Sequence, residues 1–260
     1  MNNTLLTMQD ICLTYHTKQG ETKALDKINF SVNEGDFISI VGPSGCGKTT
    51  ILSLISGLLK PSEGKILVNG NEVVGRNELT GYMFQKDNLL EWRTIWQNVI
   101  LGLEITKTKT AENLKYVEDL LKKYGLYGFK NSKPSQLSGG MRQRVALIRT
   151  LALKPKILLL DEPFSALDFQ TRLNVCDDVY SIIKEEKQTA ILVSHDISEA
   201  ISMSDKVIVL TKRPAKVKTI FNIDLPESTP FHRRENAKFS ILFDKIWKEL
   251  QTGEKEIWLF

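Results

Sequence analysis

An α/β architecture, a parallel sheet covered by helices, is expected from the distribution of apolar residues along the 260-residue chain. Short runs rich in β-branched residues recur: "FISIVG" at 37–42, "KILLLDEP" at 156–163, "TAILVSHD" at 189–196 and "KVIVLT" at 206–211. Their apolar parts are continuous rather than alternating, as in strands buried on both faces. Helical stretches separate them, such as 170–186 between the second and third. That alternation is the mark of parallel strands joined by helical crossovers.

Ahead of and behind the first buried strand, "KALDKINFSVNEGDF" and "EGKILVNGNEV" read as strands joined by tight turns at 33–35 and 69–71. An antiparallel β portion is therefore expected to flank the core. "KTTILSLISGLL" (48–59) carries Ile51, Leu52, Ile55, Leu58 and Leu59 at helical spacing, which predicts a helix directly after the first strand. From about 92 to 137 the pattern is helical, with "AENLKYVEDLLKKYGL" the clearest amphipathic segment, and this reads as a helical subdomain inserted into the α/β core. The expected organisation is a single domain: core and β portion over about 1–91 and 156–225, helical subdomain over about 92–155, and a tail ending in a helix over about 226–260. There is no internal repeat or low-complexity tract.

Composition narrows the class. With 42% hydrophobic and 25% charged residues the chain reads as an ordinary soluble globular protein. An excess of 35 basic over 31 acidic side chains, a formal charge of +4, is too slight to imply nucleic-acid binding, and none is expected. The three cysteines, Cys12, Cys46 and Cys176, are dispersed and odd in number, which argues against a disulfide framework or a zinc site. A reducing cytosol fits best. The opening "MNNTLLTMQD" lacks a basic segment followed by an apolar one, and no apolar run approaches the roughly 18 residues that would cross a bilayer. Any work at a membrane would require a partner there.

"VGPSGCGKTT", residues 41–50, matches Gly-x4-Gly-Lys-Thr between an expected strand and an expected helix, the context in which a Walker A phosphate loop is recognised. In such a loop the backbone of Gly42, Pro43, Ser44, Gly45, Cys46 and Gly47 wraps a phosphate and turns N–H groups inward, and the following helix start, with Thr49 and Thr50, adds its positive dipole end. Lys48 would reach the β- and γ-phosphates of ATP and the Thr49 hydroxyl would ligate Mg2+. Cys46 lies inside the loop, so a thiol reagent there is expected to crowd the phosphates and Mg·ATP to protect it. In "ILLLDEP" an apolar strand delivers Asp161 and Glu162 to its carboxyl end, where α/β sheets bind ligands. Asp161 suits the Mg2+ shell, and Glu162 suits a base that orients water against the γ-phosphate.

"LSGGMRQR" (137–144) opens a further helix with Ser138, Gly139 and Gly140, a second small-residue helix start suited to an anion. One nucleotide does not need two such cradles. With Gln85 in "GYMFQKDNLLEW", "SALD" at 165–168 and His195 in "LVSHD", nearly the whole chain resembles the ATP-binding subunits of ABC transporters. The resemblance implies a P-loop NTPase fold with a RecA-like parallel-sheet core. It further implies that Tyr15 stacks on adenine, the alternative being an ordinary strand aromatic, and that Gln85 contacts Mg2+ and the attacking water. By the same resemblance His195 contacts the γ-phosphate, and Asp168 lies where two ATPase subunits meet. Ser138 and Gly140 of one copy would close over ATP held by Lys48 of another, in a head-to-tail homodimer.

Within that family "FQKDNLLEWRTIWQNV", the signature helix and Met141 most resemble the importer branch for nitrate, sulfonate, taurine and related nutrients, although Glu91 stands where proline is expected and "IRT" replaces "ARA". The segment beginning "KVKTIFNIDLP" resembles that branch's short tail with one terminal helix, too short for a regulatory domain. The branch implies a transmembrane permease, a substrate-binding protein acting through it, and a place on the cytoplasmic face of the membrane. Residues 84–96 would form much of the groove receiving a permease helix, with Leu89, Leu90 and Trp92 either exposed there or packed internally. Two other readings stand beside this one: a soluble P-loop kinase and a non-transport ABC ATPase acting on nucleic acid or ribosomes.

Overall fold

The computed structural model describes residues 3–18, 20–226 and 228–251. Two sheets organise the chain. The first contains β1 (Thr4–Thr17), β2 (Gly20–Asn33), β4 (Glu63–Val68) and β5 (Asn71–Glu72) in the order β2-β1-β4-β5, with antiparallel pairings throughout. The second has β10 (Val217–Asn222), β9 (Lys206–Leu210), β3 (Phe37–Val41), β8 (Thr189–Val193), β7 (Ile157–Asp161) and β6 (Thr80–Met83), in that order. All of its pairings are parallel except that of β10 with β9.

The expected buried strands are buried on both faces, and their side chains sort by period two. Ile157 and Leu159 of β7 and Ile191 and Val193 of β8 join the cluster beneath the antiparallel sheet, with Ile38 and Ile40 of β3. Their neighbours Leu158, Leu160, Ala190 and Leu192 face the opposite way, into a cluster with the helices. Helix α1 (Lys48–Ile55) lies within the first cluster, between the two sheets, through Ile51, Leu52, Leu54 and Ile55. The second cluster holds α2 (Ile95–Val99), α3 (Leu101–Ile105), α4 (Ala111–Lys123), α5 (Gly139–Leu151) and α6 (Phe169–Glu185). In α4 the buried Val117, Leu120 and Leu121 form the expected i, i+3, i+4 stripe, Thr110 caps the N-terminus and Lys122 and Lys123 close the last turn. A third cluster sets Val41, Val207 and Val209 against α7 (Ile197–Met203) and, through Ile246, α9 (Ala237–Gln251). Arg233 of the short α8 (Pro230–Arg234) is buried and donates to the carbonyl oxygens of Ser202 and Ser204 at the end of α7.

Four expectations differ from what is found. Helix α1 stops at Ile55 rather than Leu59: the chain reverses at Gly57 (φ 73°), where a Cβ would sit 1.6 Å from the Gly75 carbonyl oxygen. Leu58, placed on the apolar stripe by spacing alone, is consequently exposed. The turn at 33–36 joins strands of different sheets, β2 to β3, whereas the turn at Asn69 and Gly70, both at positive φ, does make the β4–β5 hairpin. The segment expected as a tail with one helix supplies β10 as an edge strand and then both α8 and α9; residues 252–260 lie outside the described part. Strand β6 was not anticipated, because only Gly81 and Met83 of its four residues are buried.

Leu159 is fully buried between the sheets. Leu159→Ala is expected to lower the unfolding free energy by about 2–5 kcal/mol through the lost apolar contact and the cavity left behind, measurable as a lower denaturant midpoint at unchanged slope.

Candidate nucleotide site

Parallel register brings the site residues to one edge. Ile40 pairs with Val193, and Val193 pairs with Asp161. The phosphate loop after β3, the acidic pair ending β7 and the His195 turn after β8 therefore emerge side by side at the carboxyl ends of three adjacent strands.

Residues 42–47 run from β3 into α1, whose N-cap Gly47 supplies no side-chain acceptor to the helix start. The first-turn N–H groups and the dipole are thus left for an anion. Lys48 is buried, its ammonium folded over its own loop and donating to the carbonyl oxygens of Gly42 (2.9 Å) and Pro43 (3.2 Å). Thr49 Oγ1 donates to Asp161 Oδ1 at 2.9 Å, and the Tyr82 hydroxyl donates to Asp161 Oδ2 at 3.1 Å. Burial pushes the Asp161 carboxyl above its ordinary range while these two donors pull it down; burial likewise raises the Tyr82 phenol. Tyr15, half-exposed on β1, makes a 3.1 Å hydroxyl contact with Thr50, so the expected adenine platform stands beside the start of α1.

Glu162 follows Asp161 at φ 46°, its N–H donating to the Val193 carbonyl at 2.9 Å. Its carboxylate Oε2 lies 3.1 Å from His195 Nδ1. Gln85 Nε2 donates to Ser165 Oγ (3.0 Å), which in turn donates to the Glu162 carbonyl oxygen (3.0 Å). His195 precedes the N-cap of α7, where Asp196 accepts from the N–H groups of Ser198 and Glu199. Gln85 and Ser165 thus reach the backbone of Glu162, and His195 reaches its carboxylate.

Among the described residues no group of three His, Cys, Asp or Glu could hold a metal unaided. Mg2+ bound to a nucleotide needs fewer protein ligands, because phosphate and water oxygens complete its octahedron. Thr49 Oγ1 and Asp161 Oδ1, 2.9 Å apart, are a pair of oxygens such an ion could take. The Gln85 amide, expected to join them, is engaged with Ser165.

Ser138 caps α5 by accepting from the Met141 N–H, and Ser138 and Gly139 line a cavity of about 430 Å³ with Gln85, Arg142, Leu167 and Asp168. Asp168 caps α6 through the Thr171 N–H. Gly140 is buried, and a Cβ there would come 2.7 Å from Val175 Cγ2, so its small size serves the contact between α5 and α6. The cavity does not include the phosphate loop.

Cys46 corrects an expectation. Its thiol is 2% exposed and belongs to the core cluster beneath the antiparallel sheet, and burial raises its pKa. Only its backbone faces the work of the loop. Of the three residues for which exposure and internal packing both stood open, Leu89 is core and Leu90 half-buried, while Trp92 is 72% exposed. Sequence reasoning missed Asp87 and Arg149. Arg142 pairs with the Asp87 carboxylate at 3.0 Å, and Arg149 donates to the carbonyl oxygens of Asp87 and Asn88, stitching the segment after Gln85 to α5. It also missed Asn98, fully buried, which donates to the Leu90 and Thr94 carbonyls and accepts from the Leu90 N–H. Beside this segment, Leu58, Arg76, Phe84, Leu101, Ile105 and Leu153 line a largely apolar groove of about 320 Å³, to which residues 84–96, expected to form much of it, contribute Phe84 alone.

A phosphate loop, an acidic strand end and a histidine turn converging on one sheet edge, with a second helix start opening elsewhere, define a nucleotide-hydrolysing cassette. The ABC transporter family model matches residues 25–165. An uncharacterized ABC transporter ATP-binding protein of Bacillus subtilis, YtlC, is 48% identical over 245 residues, covering 94% of both chains. The aliphatic sulfonates import ATP-binding protein SsuB of Bacillus licheniformis is 39% identical over 235 residues, covering 90% of this chain and 89% of its own. Among solved structures, the dimeric ATP-binding cassette MJ0796 in a post-hydrolysis state bound to ADP and Pi superposes with a TM-score of 0.71 at 33% identity, covering 84% of this chain and 99% of that one. The chain belongs to the ABC transporter ATP-binding proteins, with the P-loop NTPase fold of their cassettes and ATP hydrolysis as its characteristic activity.

Alkylation of Cys46 by iodoacetamide in the folded protein is expected to run at least about tenfold more slowly than in the urea-unfolded chain, since the thiol is both occluded and protonated. Peptide mass mapping with and without Mg·ATP checks this, and little further protection by nucleotide is expected.

Proposed function

We propose that this chain is the ATPase subunit of a membrane importer for a small anionic or zwitterionic nutrient of the nitrate, sulfonate or taurine type. The observation that carries the reading is the presence of two separate anion cradles: the loop at 42–49 with Asp161 beside it, and the Ser138–Gly139 helix start in a different cavity with Asp168. Two copies arranged head to tail complete two sites, with Ser138 and Gly140 of one closing on ATP held by Lys48 of the other. The dimeric form of the similar cassette supports this arrangement.

In each site Lys48 leaves its loop carbonyls for the β- and γ-phosphates, exchanging a neutral acceptor for a charged one. Tyr15 stacks on adenine. Thr49 and Asp161 would hold Mg2+, which would supply charge neutralisation at the phosphates. Glu162 orients and deprotonates the attacking water. His195, already at the Glu162 carboxylate, swings its imidazole to the γ-phosphate when ATP binds and so reports that phosphate to the base. Gln85, through Ser165, ties the same group to the segment stitched onto α5. Loss of the γ-phosphate removes the contacts that held the dimer closed.

The apolar groove beside that segment is the place for a cytoplasmic helix of the permease. Among the described residues no helix is long and apolar enough to cross a membrane, and attachment through this groove would hold the subunit peripherally at the cytoplasmic face. The import role and the substrate class rest on the similarity to the sulfonate import protein; a binding protein would choose the nutrient.

Glu162→Gln is expected to bind ATP, lose about 10²-fold or more of the hydrolysis rate, and accumulate as an ATP-dependent dimer on size-exclusion chromatography; brisk turnover would remove Glu162 as the base. Tagged chain purified from mild-detergent extracts is expected to bring down a multi-helix permease in comparable amount by mass spectrometry. Recovery without a membrane protein, or ATPase activity stimulated by duplex DNA, would overturn the transport role.

A further inference from the structure

The turn between β9 and β10 reaches across to the phosphate loop. Within it, Arg213 donates from Nη2 to the Gly45 carbonyl oxygen at 2.6 Å, across a sequence separation of 168 residues. The turn is itself anchored. Ala215 donates to the Ala24 carbonyl and accepts from the Asp26 N–H, both at 2.9 Å, and Lys216 Nζ lies 3.0 Å from the Asp26 carboxylate. Between those two residues Leu25 packs so closely against the loop that a Cβ on Gly47 would fall 2.8 Å from its Cδ2. The outer side of the loop is therefore held at two points, Gly47 by an apolar contact and Gly45 by a cation.

We infer that Arg213 is a positioning residue for the nucleotide's phosphates, acting through the Gly45–Cys46 peptide. Within a trans peptide the carbonyl and the N–H point in opposite directions. A guanidinium that draws the Gly45 oxygen outward therefore keeps the Cys46 N–H on the opposite side, where it donates to the Pro43 carbonyl oxygen at 3.2 Å and closes the turn of the loop. Gly45 sits at φ 71° and has no Cβ to oppose rotation of that peptide. A flipped unit would turn a carbonyl oxygen toward the phosphates and repel them. A charge-assisted hydrogen bond at 2.6 Å is of the stronger kind, and it comes from a turn fixed to β2. Arg213 does not touch the reacting atoms; it keeps the cradle in its binding shape before the nucleotide arrives.

The inference rests on the loop at 42–49 being the phosphate site, so the test carries a control for that reading. Affinities for ATP and ADP are measured by isothermal titration calorimetry for the wild type, Arg213→Ala, Arg213→Lys and Lys48→Ala, alongside steady-state kinetics and the unfolding temperature without nucleotide. Arg213→Ala is expected to bind both nucleotides about tenfold more weakly, the loss typical of one hydrogen bond to a charged group. Its KM should rise more than its kcat falls, its nucleotide-free unfolding temperature should stay unchanged, and Arg213→Lys, which keeps the charge and a donor, should recover most of the affinity. Arg213→Ala within twofold of wild type for both nucleotides would overturn the inference. So would a loss accompanied by a lower nucleotide-free unfolding temperature and unrecovered by Arg213→Lys, since that marks a structural role. Undiminished ATP binding by Lys48→Ala would instead remove the loop as the phosphate site, whatever Arg213 does.

Discussion

The pairing of β3, β8 and β7 in one parallel register is the constraint on which the rest depends. Each of these central strands is hydrogen-bonded to a strand on both sides, and both faces are covered, so none can slide without moving an apolar face out of its cluster. Asp161 opposite Val193, and Val193 opposite Ile40, then oblige the three segments that follow to leave the sheet together. The geometry of the candidate site is a property of strand ends, fixed by the burial of the apolar strands that lead to them.

From that edge the polar contacts grow outward in layers. Asp161 is gripped at both oxygens by Thr49 and Tyr82, which fixes the direction of its carboxylate. Lys48, by contrast, rests on neutral carbonyls of its own loop, contacts that a phosphate outcompetes. The site thus combines a rigid acid with a cation that is ready to change partners. Around it, Arg142 and Arg149 bind the segment after Gln85 to the helix that begins at Ser138, so displacement of one carries the other.

What could be read from the sequence was whatever is local. The loop at 42–49 is contiguous, its strand and helix flank it directly, and an acidic pair at the end of "ILLLD" has only one place to go in a parallel sheet. The fold class and the ATPase family follow from such segments. Contacts across long separations left no trace in the linear order. Glu162 meeting His195, Gln85 reaching Ser165 and Arg149 capping the Asp87 turn join residues 33, 80 and 62 positions apart. Directions of side chains were equally hidden: Cys46 belongs to the loop by backbone and to the core by sulfur. The early end of α1 was legible in principle, since "ISGLL" offers a C-terminal glycine, but the apolar spacing continued through it and outweighed the stop signal. At Leu89 the linear order left both directions open, and the residue packs inward with the cluster that holds α2 rather than outward.

All three cysteines are buried, and that gives the chain a surface without native sulfhydryl chemistry. A single cysteine introduced at an exposed position such as Phe169 or Trp247 would be the one accessible thiol in an otherwise natural sequence. Spin labels or fluorophores could be mounted on that one added cysteine, with no cysteine-free background to engineer and no compensating repair of the core. The cassette is in this sense already built as its own reporter scaffold, on which two such probes would read a distance directly.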